Sequence, residues 1–265
     1  MNSVYLCPPA PRLFAHRGAS AASPENTLPA FRSAVAAGLP YLEMDVWSTA
    51  DGVVVVHHDE TALRLCGDPR RISDLSLAEL QNLDAGHTFS PDGGRSHPFR
   101  GRGVIVPTLR QVLDAFPKAR CNIEIKQAEP AAEELTVATI REAEAEERVL
   151  LAAEQDAVMK RIRECCGEIP TSFSRGEVAA FLEWIQGGCL GSYRPEGVAL
   201  QIPEVFGTTR LVSPETIRAA HRAGLEVHVW TVNEAQDMER LLGWGVDGLM
   251  SDHPELLAAT AGKIL

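Results

Sequence analysis

Long hydrophobic runs are missing from this chain. The apolar stretches last only a few residues, as in the four valines of 53–56, and none could cross a bilayer or serve as a membrane anchor. Positive charge is scarce as well: 25 Lys and Arg stand against 36 Asp and Glu, a formal net charge of −11. Such acidity argues against non-specific nucleic-acid binding, which needs a basic surface. If the substrate is an anion, its positive partners must be placed locally. The first twelve residues have neither the basic stretch nor the apolar core of a secretory leader. No two of the six cysteines (7, 66, 121, 165, 166 and 189) form C-x-x-C. Scattered over 265 residues, they read as reduced thiols of a cytoplasmic protein, mostly buried as small hydrophobes. Solenoid repeats and low-complexity tracts are also missing.

What is present is ordinary globular composition, 45% apolar and 23% charged, arranged in a strict alternation. Strand signals occur at 13–16, 41–47, 121–126, 149–152, 170–173, 198–202, 226–230 and 246–250. Helix-period segments lie at 27–37, 109–115, 131–147, 155–165, 177–184, 214–223, 234–242 and 254–259. Strand–helix alternation predicts a parallel sheet, and eight such pairs predict an α/β fold closed as a TIM (β/α)8 barrel. The length suits one domain over 1–265. Helix ends carry matching signals: Ser213 before Pro214, Asn233 before Glu234, and Asp252 with Glu255 at capping-box spacing. One stretch breaks the rhythm. After the second barrel strand come a further strand at 52–58, a short helical pattern at 74–80 and a Gly/Pro/Arg-rich loop. Residues 60–106 are therefore expected to form a small insertion on the catalytic face.

Alternate residues of a strand share a face. Glu43 and Asp45 therefore point together, with Leu42, Met44 and Val46 turned outward. Glu124 and Lys126 repeat the pattern between Ile123 and Ile125. Three carboxylates near strand ends would repel one another in a barrel interior, and a cation relieves them. An all-oxygen set suits Mg²⁺ or Ca²⁺ rather than zinc. His16, Arg17 and Gly18 end the first strand, where a guanidinium can grip a phosphate through two hydrogen bonds. Of the neighbours His57 and His58 only one can face the pocket. With His16 it would supply a general acid and a general base. Glu25 and Asn26 read as dipole and cap residues of the following helix, and Asp252 as a helix cap. His228 is expected inside the barrel. Trp230 is either a pocket wall or a core aromatic. His87, His97, His221 and His253, and Arg95, Arg100 and Arg102 of the insertion, read as solvated.

Eight short motifs, taken in order, resemble the glycerophosphodiester phosphodiesterase family over nearly the whole chain. They are His16-Arg17-Gly18, Pro24-Glu25-Asn26-Thr27, Glu43-Met44-Asp45-Val46, His58-Asp59, Pro107-Thr108-Leu109, Glu124-Ile125-Lys126, Val229-Trp230-Thr231-Val232-Asn233 and Gly245-Val246-Asp247-Gly248. The resemblance implies a TIM barrel with an insertion after its second strand, and one divalent cation, Mg²⁺ or Ca²⁺, on Glu43, Asp45 and Glu124. It implies His16 and His58 as the acid–base pair, with Arg17 and Lys126 on the phosphate and Trp230 at the pocket mouth. The implied reaction is hydrolysis of a small phosphodiester to sn-glycerol 3-phosphate and an alcohol. In it the substrate's own glycerol hydroxyl attacks phosphorus, and water then opens the cyclic phosphate. Ala199-Leu200-Gln201-Ile202-Pro203 and the Trp230 segment are similar to a subset that includes lysophospholipase D enzymes. That similarity implies an alternative substrate, a lysophospholipid, with its chain near Val205, Phe206 and Trp230. A silent phosphodiester-binding barrel and a metal-dependent sugar isomerase are the competing classes. The first requires a broken catalytic set, and the second does not require the Arg17 and Lys126 clamp.

Overall fold

The alternation folds as its period demands. The computed structural model describes residues 4–191 and 193–264. Its strands are β1 (Arg12–His16), β2 (Tyr41–Ser48), β3 (Val54–Val56), β4 (Arg120–Ile125), β5 (Val149–Ala152), β6 (Ala199–Pro203), β7 (Val205–Phe206), β8 (Thr209–Arg210), β9 (Glu226–Trp230) and β10 (Gly248–Ser251). Seven of them lie side by side in the order β5-β4-β2-β1-β10-β9-β6, and every pair in that path is parallel. The eighth place is taken by 170–173. This segment makes single parallel bridges, Leu151 to Thr171 on one side and Ser172 to Ala199 on the other. Ser172 N donates to the Leu151 carbonyl at 2.9 Å, and Phe173 N to that of Ala199 at 3.2 Å. The expected fifth strand is thus present as a two-sided bridge that closes the barrel. Pro170, which has no N–H, shortens its ladder.

The helices are α1 (Leu28–Ala36), α2 (Leu63–Cys66), α3 (Leu77–Gln81), α4 (Leu109–Ala115), α5 (Glu133–Glu142), α6 (Asp156–Cys165), α7 (Arg175–Gln186), α8 (Pro214–Arg222), α9 (Ala235–Trp244) and α10 (Pro254–Ala261). Apart from α2 and α3 they cover the outside of the sheet. Leu42, Met44, Val46, Ile123, Ile125, Val227 and Val229 point outward and merge with Phe31, Val112, Val137 and Leu241 of the helices into one buried layer. Each large apolar side chain sealed there contributes roughly 1.5–3 kcal/mol. The barrel interior is different: Glu43, Asp45, Asn122 and His228 are all buried within it.

After β2 the chain doubles back antiparallel as β3, with Val46 opposite Val56, before entering the insertion. There Leu65, Ile72, Leu75, Leu80 and Val106 form a second apolar cluster with Val55, and Trp47 of β2 packs against it. Ser76 and Glu79 cap α3 reciprocally, so this segment has local structure and a small core of its own.

Three expected caps are absent. Thr27, Glu234 and His253 occupy the cap positions of α1, α9 and α10, none with a side-chain cap bond. Asn26, Asn233 and Asp252 instead turn toward charged or polar partners inside the barrel mouth. A charge-assisted bond is worth roughly twice a neutral one, and it outcompetes a helix-end N–H. Ser213 does cap α8, accepting from Thr216 N at 3.2 Å.

Candidate active site

The C-terminal ends of β1, β2 and β4 bring most of the expected chemistry together. Glu43 and Asp45 are 3% and 1% exposed. Asp45 lies in register with Glu124 on the neighbouring strand. Carboxylate oxygens of Glu43, Asp45 and Glu124 all fall within 4.8 Å of one another. Burial and the charge of Asp45 push the Glu43 carboxyl up to about 7. Burial likewise raises Glu124. Asp45 is held below its ordinary value. Burial opposes this, but Arg17 and Lys126 outweigh it.

The two cations sit on the same cluster. Lys126 Nζ is 2.9 Å from Glu124 and 3.4 Å from Asp45. Arg17 Nε is 3.1 Å from Asp45, and Arg17 Nη1 donates to Glu25 at 3.1 Å. Arg17 Nε is buried and misaligned for a hydrogen bond to that oxygen. Three carboxylates against two cations leave one surplus negative charge in a buried place. A divalent ion on this all-oxygen set fits both the charge and the donor chemistry.

The turn after β1 is specified by backbone geometry. Arg17 and Gly18 both have positive φ, 56° and 84°. A Cβ on Gly18 would come within 2.7 Å of the Ala30 backbone, so only glycine lets α1 pack this closely. The turn aims Arg17 N at the Glu43 side chain, 3.0 Å away. Asn26, also at positive φ (57°), donates from Nδ2 to Asp45 at 2.9 Å.

Two histidines flank the cluster in the same manner. His16 Nδ1 lies 2.7 Å from Asp252 Oδ1, and its Nε2 lies 3.9 Å from Glu43. Asp252 is itself held by Ser20 Oγ at 2.8 Å and Asn233 Nδ2 at 2.7 Å. His58 Nδ1 lies 2.6 Å from Asp59 Oδ1, and Trp47 Nε1 anchors the His58 carbonyl at 3.0 Å. A carboxylate only accepts, so each Nδ1 carries the proton. That leaves Nε2 as the working atom: bare it can take a proton, and protonated it can give one. For His16, burial opposes protonation, but Asp252 and Glu43 hold the ring above its ordinary pKa. His57 turns away, buried, with Nε2 3.1 Å from the Thr61 carbonyl.

These groups line a cavity of about 450 Å³. His16, Arg17, Glu43, His58, Glu124 and Lys126 supply its charge. Phe173, Val178, Leu182, Phe206, Leu211 and Trp230 supply an apolar wall, while Asn122, Gln201 and Met250 also line it. Trp230 is 41% exposed and belongs to this wall, not to the core. Arg95, Arg100 and Arg102 are exposed in the insertion and do not reach the cavity. Sequence reasoning assigned no site role to Asp252, Asp59, Ser20, Asn233 or Arg64. Arg64 bridges Asp59 at 2.6 Å and Glu25 at 2.6 and 2.8 Å. Only Asp59, adjacent to His58, had a local signal.

Comparison with known proteins agrees with this geometry. A family model described as the glycerophosphoryl diester phosphodiesterase family matches residues 16–256. A glycerophosphodiester phosphodiesterase of Caldanaerobacter subterraneus is 31% identical, covering 92% of this chain and 95% of that protein. A lysophospholipase D of Mus musculus is 27% identical, with 93% and 84% covered. Among solved structures, an Oleispira antarctica phosphodiesterase in complex with the product sn-glycerol-3-phosphate superposes with a TM-score of 0.76. It is 23% identical, and the match covers 96% of this chain and 97% of that one.

Proposed function

The chain belongs to the glycerophosphoryl diester phosphodiesterase family, and from that premise we propose how its residues divide the work. The enzyme hydrolyses glycerophosphodiesters to sn-glycerol 3-phosphate and an alcohol. The observation that carries the mechanism is the pair of histidines, each with Nδ1 on an aspartate and both lining the cavity that holds the carboxylate cluster.

Glu43, Asp45 and Glu124 would hold one divalent cation, Mg²⁺ or Ca²⁺, which when bound supplies Lewis-acid stabilisation of charge on the phosphoryl oxygens. Arg17 and Lys126 orient the phosphate and oppose the negative charge that grows on it. One histidine takes a proton at Nε2 from the substrate's glycerol hydroxyl as that oxygen bonds to phosphorus. The other gives a proton from Nε2 to the departing alcohol oxygen as its bond to phosphorus breaks. Water then opens the cyclic phosphate with the two proton roles exchanged, which restores both rings. Asp252 and Asp59 fix the tautomers through both steps. Trp230 walls the pocket mouth. The whole chain, 1–265, acts as one catalytic domain, with 60–106 as a small insertion on the catalytic face that has its own apolar cluster.

The substrate is a small-molecule phosphodiester. The thiols of Cys66, Cys121, Cys165, Cys166 and Cys189 are free, which suits a reducing, cytoplasmic setting, and among the described residues no helix is long and apolar enough to cross a membrane. A second reading, lysophospholipase D action, is favoured by the apolar wall of Phe173, Leu182, Phe206 and Trp230, which could take an acyl chain. Turnover of glycerophosphocholine and lysophosphatidylcholine, each with Mg²⁺, Ca²⁺ or chelator, tests both readings. Glycerophosphocholine is expected to be cleaved only with metal. Metal-independent cleavage would remove the carboxylate cluster from the mechanism.

A further inference from the structure

A chain of hydrogen bonds runs from the base of the barrel to the floor of the cavity, and its polarity is forced. Arg12 is 2% exposed and donates to Glu226, from Nε to Oε2 at 2.7 Å and from Nη2 to Oε1. Glu226 Oε2 also lies 2.9 Å from His228 Nε2. A carboxylate can only accept, so His228 Nε2 carries a proton. His228 is fully buried. Arg12 already neutralises Glu226, so a second positive charge there would lack compensation. The His228 Nδ1 faces an amide nitrogen and is an acceptor. The donor facing it is Gln201 Nε2 at 3.3 Å, and the same amide nitrogen donates to Asn122 Oδ1 at 2.7 Å.

Both protons of the Gln201 amide are thus spent inside the barrel, and the Asn122 carbonyl is spent on them. Gln201 Oε1 and Asn122 Nδ2 remain. Neither is paired with another protein group among the described residues, and neither is a buried orphan. Both residues line the cavity that holds the carboxylate cluster. Asn122 lies two residues before Glu124 on β4, about 6.6 Å deeper along the strand. Below this pair His228 packs against Phe14, both fully buried, with ring centroids 5.0 Å apart. The floor is closed there, and it presents one acceptor beside one donor.

We propose that Gln201 and Asn122 form the subsite that reads the free terminal hydroxyl of the substrate's glycerol, held in register by the Arg12–Glu226–His228 chain. A hydroxyl both gives and takes a hydrogen bond and meets the two groups at once. The assignment rests on the phosphodiesterase reading above and deepens it. It also separates the two substrates considered there. An acylated terminal oxygen has no proton to give, leaves Gln201 Oε1 unmet, and would drive its chain against a closed floor.

The test compares glycerophosphocholine with the propane-1,2-diol phosphodiester of choline. The analogue keeps the attacking hydroxyl and replaces the terminal one with hydrogen. Wild-type enzyme is expected to prefer glycerophosphocholine by at least about 10²-fold in kcat/KM, because a site built around a hydroxyl rejects the analogue that lacks it. In Gln201→Met the preference falls below about 10-fold. In Gln201→Glu, an acceptor-only side chain, Asn122 must turn its NH₂ inward to pair with the carboxylate. The donor–acceptor floor is lost and the preference collapses likewise. Calorimetric binding of sn-glycerol 3-phosphate against propane-1,2-diol phosphate gives the same ratio without turnover, and thermal melts identify a variant that fails to fold. An unchanged preference in both folded variants, or no preference in the wild type, overturns the subsite while leaving the phosphodiesterase reading intact. No wild-type turnover of any glycerophosphodiester overturns both.

Discussion

The two ends of the barrel bury charge in opposite ways. At the base, one guanidinium meets one carboxylate. Arg12 donates two hydrogen bonds to Glu226, His228 adds a third, and the Pro8 and Leu6 carbonyls and the Tyr41 hydroxyl take the remaining Arg12 protons. At the mouth, three carboxylates crowd together and two cations fall short of neutralising them. Glu43 is pushed to about 7 while Asp45 beside it is held low. A satisfied buried pair marks architecture; a surplus of one sign marks a place prepared for something to arrive. The histidines divide along the same line. His228 spends both ring nitrogens inside the protein, whereas His16 and His58 each commit Nδ1 to an aspartate and keep Nε2 for the cavity.

Activity measurements give the sharpest break between the ends. His16→Ala and His58→Ala are each expected to lower kcat by about 10²–10⁴-fold, the usual contribution of positioned acid–base groups, with thermal midpoints near wild type. Full activity in either variant would end the assignment. Asp252→Asn should cost about 10²-fold or more in kcat with KM little changed. The amide can present an N–H to His16 Nδ1 and so select the wrong tautomer, as replacement of a triad aspartate does. Steady-state kinetics beside a thermal melt separate this from unfolding.

Stability measurements should show the reverse ranking. Glu226→Ala leaves Arg12 charged and buried without its counter-charge. It is expected to cost about 3–5 kcal/mol in chemical denaturation, the penalty for breaking a buried pair from one side. Glu43→Gln should stabilise the metal-free protein. The Glu43 carboxyl titrates near 7 when folded and near its ordinary 4.5 when unfolded. Between those values the unfolded chain binds fewer protons, so stability falls as pH rises from 4.5 to 7, by up to about 3 kcal/mol. In Glu43→Gln this slope should flatten, and the rise in melting temperature expected from Mg²⁺ or Ca²⁺ in the wild type should be lost. A metal-free wild type equally stable at pH 5 and pH 8 would contradict the crowding.

Much of this contrast was legible in the sequence, but not the partners. Alternation placed Glu43, Asp45, Glu124 and Lys126 on one face and their aliphatic neighbours on the other, because strand geometry is local. It also located 170–173, although two bridges are all that segment makes. The histidine doublet needed the family likeness to choose His58, and the fold agrees in turning His57 away. What failed was long-range. Asp252 meets His16 across 236 positions, and its local setting, three residues before Glu255, imitates a capping box. Asn26 and Asn233 misled in the same way, since a polar residue at a helix start looks like a cap whether or not a stronger partner waits across the barrel. Alternation puts Asn122 on the Glu124 face and Gln201 lies in the 199–203 motif, but their pairing was not legible, because its meaning lies in which atoms are already used.

The smallest expected effect falls at Arg64, where the insertion touches the mouth. Its guanidinium is about half exposed but holds Asp59 and Glu25 together, and these in turn hold His58 and Arg17. Exposed ion pairs contribute only about 0–1 kcal/mol to stability, so Arg64→Ala should leave the melting temperature within a few degrees of wild type. Its kinetic effect should be larger than that implies. Releasing Asp59 loosens the His58 ring and releasing Glu25 loosens Arg17, so a drop of about tenfold in kcat/KM is expected, shared between kcat and KM. Arg64→Lys can neutralise one carboxylate but cannot bridge two through a planar fork, so it should recover less than half of the loss on a logarithmic scale. Complete rescue by lysine would mean that charge alone is used there. No kinetic change in either variant would separate the insertion from the chemistry, leaving the mouth as self-contained as the base.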